Sequence, residues 1–267
     1  MALGVVLAMS SGGFVWGFYE PRHERWAAAG VGLAWGLATA GLWQWAAEGH
    51  GWPGAAPRVA ATLVVWMAAT GSPAWVRRPG WAPLAGFAAP VLTIVWIASQ
   101  LALPGRALAR PPASLVLAWV HLGLEALTLT LLLLAASAAG MYLEHERELV
   151  HKTPRLFYYR LPPLGDLDRW SYRLSLAGWG SLSGTLAAGL WMAGPSGVYW
   201  LESLSAVWAL AVWSVFGVQL ALRAWGWQGH RAAWITVAAL LALVADLVGT
   251  GGMGHSAGLA TWHQLSG

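Results

Sequence analysis

The chain has 267 residues, 58% of them apolar and 10% charged, against about 25% charged in an ordinary soluble domain. A water-soluble globule of this length has no core large enough to hide so much apolar surface, so the solvent that fits is lipid. With no cysteine, disulfides, thiol catalysis, zinc–thiolate sites and cofactor attachment through sulfur are excluded, and the net charge of +4 is read by its position along the chain, not as a nucleic-acid footprint.

A helix needs roughly 20 mainly apolar residues to cross a bilayer. Eight stretches free of Lys and Arg have that character: Met1–Tyr19, Trp26–Ala47, Val59–Val76, Pro79–Gly105, Pro111–Leu143, Leu174–Leu201, Ser203–Leu222 and Ala232–Gly254. A β-barrel is excluded, because its segments would be short and alternating. The first stretch lacks the basic start of a cleavable signal peptide and reads as a retained helix. The 33 Gly and 21 Trp fit closely packed membrane helices and interfacial aromatic belts. The expectation is an all-α integral membrane protein: a single polytopic domain over residues 1–267, a bundle of about eight helices, in the plasma or inner membrane.

Basic residues accumulate on the cytosolic side. Alternate loops put Arg22, Arg25, Arg77, Arg78, Arg147, Lys152, Arg155, Arg160, Arg169, Arg173, Arg223 and Arg231 on one side, and Arg58, Arg106 and Arg110 on the other. That asymmetry places both termini outside and the 144–173 segment inside. This segment begins as a charged helical extension, then breaks at Pro154 and the Pro162-Pro163 pair into a loop.

Ionisable groups within lipid are costly and mark candidate sites. Only the fifth and eighth stretches hold an acid, Glu125 and Asp246 respectively. His121 lies near the outer end of the fifth, with Glu125 one turn later on the same face. His255 follows the eighth at its outer end. The topology thus brings His121 and His255 to one side of the membrane, and two neutral imidazoles across an apolar, Trp-rich space suit the axial positions of a haem iron. Copper or zinc would need further ligands that are not evident nearby. Glu125 could accept from the non-ligating nitrogen of His121, or be a protonated carboxyl bonded within the bundle. His263 is the rival to His255, and Asp246 could handle protons or join two helices.

The stretch GVYWLESLSAVWALAVW resembles the tryptophan-rich signature of the cytochrome c assembly protein family (system II, CcsA-type), through Gly197, Tyr199, Trp200, Trp208, Ala209 and Trp213. LRAWGWQGHRAA adds Arg223, Gly226, Trp227 and Gly229, and LPPLGDLDRWSYRLSLAGW adds Leu161, Pro162, Leu164, Leu167, Asp168, Tyr172, Arg173 and Gly178. The resemblance covers roughly residues 115–260. It departs from the family pattern where Glu202, Ser203, Leu204, Ser205 and Ala206 replace a Trp-Asp-Pro-Lys-Glu run, and where Ala221 replaces a histidine, and so is closer to the shorter HemX-like or YpjD-like branch.

The resemblance implies haem handling for cytochrome c maturation. Non-covalent b-type haem would be held by His121 and His255 and walled by Tyr199, Trp200 and Trp208. It would act with other maturation membrane subunits and lipid, bind no nucleic acid and catalyse no covalent chemistry. The alternative is a HemX-like regulator or scaffold of haem biosynthesis acting through residues 144–173 without stable haem. A proton-coupled transporter using Glu125 and Asp246 ranks last, because no paired broken helices mark two related halves.

Overall fold

The computed structural model describes residues 6–7, 9, 22–47, 57–76, 82–101, 115–152, 161–193 and 204–253. Among these residues there are seven long helices and no strand: α1 (Arg22–Ala47), α2 (Pro57–Val76), α3 (Ala82–Leu101), α4 (Leu115–His151), α5 (Leu164–Ala193), α6 (Leu204–Ala224) and α7 (His230–Met253). They coincide with the second to eighth apolar stretches; the first lies almost wholly outside the described residues. Two of them, Val116–His151 and Ala206–Ala224, are long and apolar enough throughout to cross a membrane.

These helices tolerate many hydroxyls because most of the hydroxyls find a partner on their own helix. Thr39, Thr70, Thr93, Thr128, Thr130, Ser137, Ser183, Thr185, Ser214 and Thr236 each donate to the carbonyl four residues earlier. That bond costs no interhelical partner. The helix ends are equally local. Pro162-Pro163 ends the preceding segment and opens α5, whose Asp166 and Leu167 amides donate to the Pro163 carbonyl. An acid in the first turn also suits the helix dipole.

The 144–173 segment is therefore less of a loop than its charge suggests. Residues 164–173 are the first turns of α5, since the prolines that block a helix before them favour one after them. At the other end, α6 stops in a Schellman turn. Gly226 has φ of +91°, the Trp227 amide reaches back to the Leu222 carbonyl and the Gly226 amide to Arg223. Only glycine enters that left-handed position without strain.

α4 is the hub, with α2, α3, α5 and α7 all packed against it. α4, α5, α6 and α7 form an antiparallel four-helix bundle in which α4 and α6 stand diagonally opposed, and α1 joins the structure through α2. The α1–α2 seam carries two crossed indole–hydroxyl bonds of 3.0 Å, Trp35 Nε1 to Thr70 Oγ1 and Trp66 Nε1 to Thr39 Oγ1. The α4–α5 seam is close at this point, because Gly178 lets Leu132 and Leu131 of α4 approach the α5 backbone. Small residues are the usual means of such approach where lipid supplies no hydrophobic drive. The outer surface stays apolar: Val207, Val215 and Val218 on α6 and Leu176, Leu190 and Trp191 on α5 are all exposed.

The bundle has two unlike ends. One, the charged end, gathers the end of α4, the start of α5 and the α6–α7 turn. The other carries His121.

Candidate functional site

At the charged end, two motifs far apart in sequence meet. Arg223, 6% exposed, sits with Nη2 3.1 Å from Asp168 Oδ1 and donates from Nη1 to the Asp168 carbonyl at 3.1 Å. Its guanidinium lies over the Tyr172 ring, 5.6 Å from the centroid, and Asp168 Oδ1 also accepts from the Gly229 amide at 3.3 Å. Gly229, with φ of +71°, is pressed against Tyr142 of α4, whose hydroxyl would lie 2.8 Å from any Cβ placed there. Beside this junction His230 Nδ1 is 2.5 Å from Glu146 Oε2, Trp234 Nε1 donates to His230 Nε2 at 3.0 Å, and His145 Nδ1 donates to the Pro162 carbonyl at 3.2 Å. The segments 144–151 and 164–173 are thereby engaged with their own bundle.

Midway along, Trp179 and Trp213 stack with centroids 5.2 Å apart. Trp179 Nε1 donates to the Trp213 carbonyl at 3.0 Å and Trp213 Nε1 to Ser183 Oγ at 2.9 Å. Both indole N–H groups are satisfied within the α5–α6 seam, as buried indoles require.

At the other end, His121 is half-buried and its Nδ1 lies 3.0 Å from the Thr185 carbonyl of α5. A carbonyl only accepts, so Nδ1 carries the proton and Nε2 keeps its lone pair. The acceptor is thus the Thr185 backbone, in the place that helical spacing allows to the Glu125 carboxylate as one of its two readings. The backbone carbonyl is offered because the close α4–α5 seam, with Leu124 against Gly184 and Ser181 Oγ donating to the Leu124 carbonyl at 3.1 Å, holds the helices together at that level. Glu125, one turn further in, is half-buried.

The bonds between helices fix which residues share a level. Trp208 stands five residues before Trp213, whose indole bonds Ser183, so Trp208 lies within a turn of the level of Thr185 and His121; it is 41% exposed. α7 starts beside Glu146 at His230. Its last residue, Met253, is 23 residues on, and Gly123 is 23 residues back along α4, each a climb of about 34 Å at 1.5 Å per residue. α7 therefore ends at the level of His121. Tyr199, Trp200 and His255 lie outside the described residues, as does His263. Nothing in the sequence marked Thr185, since a backbone carbonyl has no residue signature. The Arg223–Asp168 pair was visible as two separate motifs.

The sequence profile of the family described as Cytochrome C assembly protein matches residues 82–248, more than half of the chain. The chain belongs to this family. Similar curated proteins include the cytochrome c biogenesis protein CcsA of Citrus sinensis, 36% identical over 78 residues, which are 28% of this chain and 25% of that relative. The CcsA of Trieres chinensis is 38% identical over 76 residues, 28% of this chain and 24% of the relative. The CcsA of Synechococcus sp. (strain RCC307) is 33% identical over 97 residues, 34% of this chain and 31% of the relative. The chain thus spans about a quarter to a third of the length of these relatives. No solved structure matches it.

Proposed function

We propose that this family member is a multi-pass protein of the plasma or inner membrane that handles haem in cytochrome c assembly. The charged end faces the cytosol, and non-covalent b-type haem is held at the opposite, outer end by His121 and His255. The observation that carries the reading is the His121–Thr185 bond, which fixes the imidazole orientation and leaves Nε2 as the nitrogen through which His121 would hold a haem iron. The ending of α7 at the same level supports His255, two residues past Met253, as the second ligand. The climb of about 34 Å from the charged end exceeds the roughly 30 Å hydrocarbon core, which supports the reading of an outer-interface site.

Trp208, level with His121, offers an apolar wall, with Tyr199 and Trp200 assigned to the same wall. Bound haem would supply redox-active iron; the residues here bind and orient it, and no covalent chemistry is assigned to this chain. The regulator reading would act through residues 144–173, and among the described residues of that segment His145, Glu146 and Asp168 are bonded within the bundle. The protein would act with other membrane subunits of cytochrome c maturation.

The test is the optical spectrum of the detergent-purified protein, oxidised and reduced, for wild type, His121→Ala and His255→Ala. A six-coordinate low-spin haem spectrum in wild type, lost in each variant, is expected. A wild type that carries no haem and takes up none when it is added overturns the reading, as does a spectrum unchanged in both variants.

A further inference from the structure

Inside the four-helix bundle, one to two turns in from the charged end, four polar atoms meet no donor or acceptor of the protein: Ser171 Oγ, Ser175 Oγ, Gln219 Oε1 and Arg223 Nε. Their residues are 1%, 0%, 1% and 6% exposed, in that order. The other guanidinium nitrogens are engaged, Nη2 lying 3.1 Å from Asp168 Oδ1 and Nη1 donating to the Asp168 carbonyl. Gln219 spends its amide donor on Thr236 Oγ1 of α7, and Thr236 in turn donates to the Ala232 carbonyl, which fixes the amide with its oxygen left over.

These atoms converge. On α5, Gly178 and Ser181 meet α4, while Asp168 and Trp179 meet α6. At 100° per residue Ser171 and Ser175 fall on the face between those two, toward the bundle centre. Gln219 and Arg223 are one turn apart on α6, and bonds to Thr236 and Asp168 hold them at the level of the two serines. Opposite them α4 contributes the small, fully buried side chains of Ala135, Ala138 and Ala139.

An unpartnered polar group in a low-dielectric interior is costly, and here four share one place. The set mixes donors and acceptors: Arg N–H, amide oxygen, and hydroxyls that serve as either. An anion would face the Gln219 oxygen and the Asp168 carboxylate; a cation would face the guanidinium. Water is the ligand that donates and accepts at once and takes 2–4 partners. We infer that the bundle holds a small internal water cluster among Ser171, Ser175, Gln219 and Arg223, a hydrated step within the otherwise apolar interior that solvates the inner edge of the Arg223 guanidinium.

The sign of a stability change tests this in the full-length protein in detergent. If the serines hold water, Ser171→Ala and Ser175→Ala remove partners of that water and lower Tm relative to Ser214→Ala, an exposed α6 serine that bonds only its own helix. The double variant then loses less than the two single losses together, because both serines share the cluster. If the serines are dry, deleting an orphaned hydroxyl raises Tm above that baseline, which overturns the inference. X-ray hydroxyl-radical labelling gives an independent readout, since bound water oxidises its immediate neighbours. Phe216, fully buried one turn before Gln219, should be oxidised while the equally buried Leu132 of the α4–α5 seam is spared. Equal protection of the two refutes the cluster.

Discussion

Gly178→Ala asks whether the α4–α5 seam positions His121. A Cβ at Gly178 would lie 2.5 Å from Leu132 Cδ2, 2.9 Å from Leu132 Cγ and 3.4 Å from Leu131 Cβ. Leu132 is fully buried and has nowhere to turn, so the two helices must separate. Overpacking by a methyl costs about 1–3 kcal/mol, and contacts this short to a branched carbon belong near the top of that range. The better helix propensity of alanine returns about 1 kcal/mol, which leaves a net loss of about 1–2 kcal/mol.

Gly180, two residues on, has nothing within 4 Å of its would-be Cβ. Gly180→Ala keeps the propensity gain alone and should stabilise by up to about 1 kcal/mol. Thermal unfolding in detergent, followed by tryptophan fluorescence, should therefore move the two variants in opposite directions, by a few degrees each. Because the same seam presents the Thr185 carbonyl to His121, Gly178→Ala should also weaken retention of added haem, and Gly180→Ala should not. A Gly178→Ala protein as stable as Gly180→Ala would refute the claim that a fixed close contact sets the α4–α5 distance.

Two further outcomes concern the charged end. Arg223→Ala leaves the Asp168 carboxylate facing the bundle without its cation and should cost about 3 kcal/mol, whereas Arg223→Met combined with Asp168→Leu should cost clearly less, because desolvation of both charges is removed together; denaturation midpoints of the three proteins check this. Gly229→Ala meets both a left-handed backbone and the Tyr142 hydroxyl at 2.8 Å and should lose about 2–3 kcal/mol. Pairing it with Tyr142→Phe should recover part of the loss, and the absence of any recovery would show that the hydroxyl contact is not what excludes a side chain there.

The sequence by itself determined the helices and where they stop, because both are local properties. Apolar runs of spanning length, hydroxyls that bond back four residues, the Pro162-Pro163 pair and Gly226 act within a turn or two of themselves, and seven of the eight apolar stretches coincide with described helices. The same prolines, which the sequence marks as a break in the 144–173 segment, open α5, since proline ends a helix on one side and starts one on the other. Which residues face one another was decided only by packing. His121 was legible as a costly polar group, but its partner is a backbone carbonyl 64 residues away, and carbonyls are identical in every residue. Asp168 and Arg223 stood in separate motifs 55 residues apart, and only the bundle joins them. Interhelical register depends on how side chains such as Gly178, Trp179 and Trp213 fit across a seam, a relation between segments that no single stretch of sequence carries.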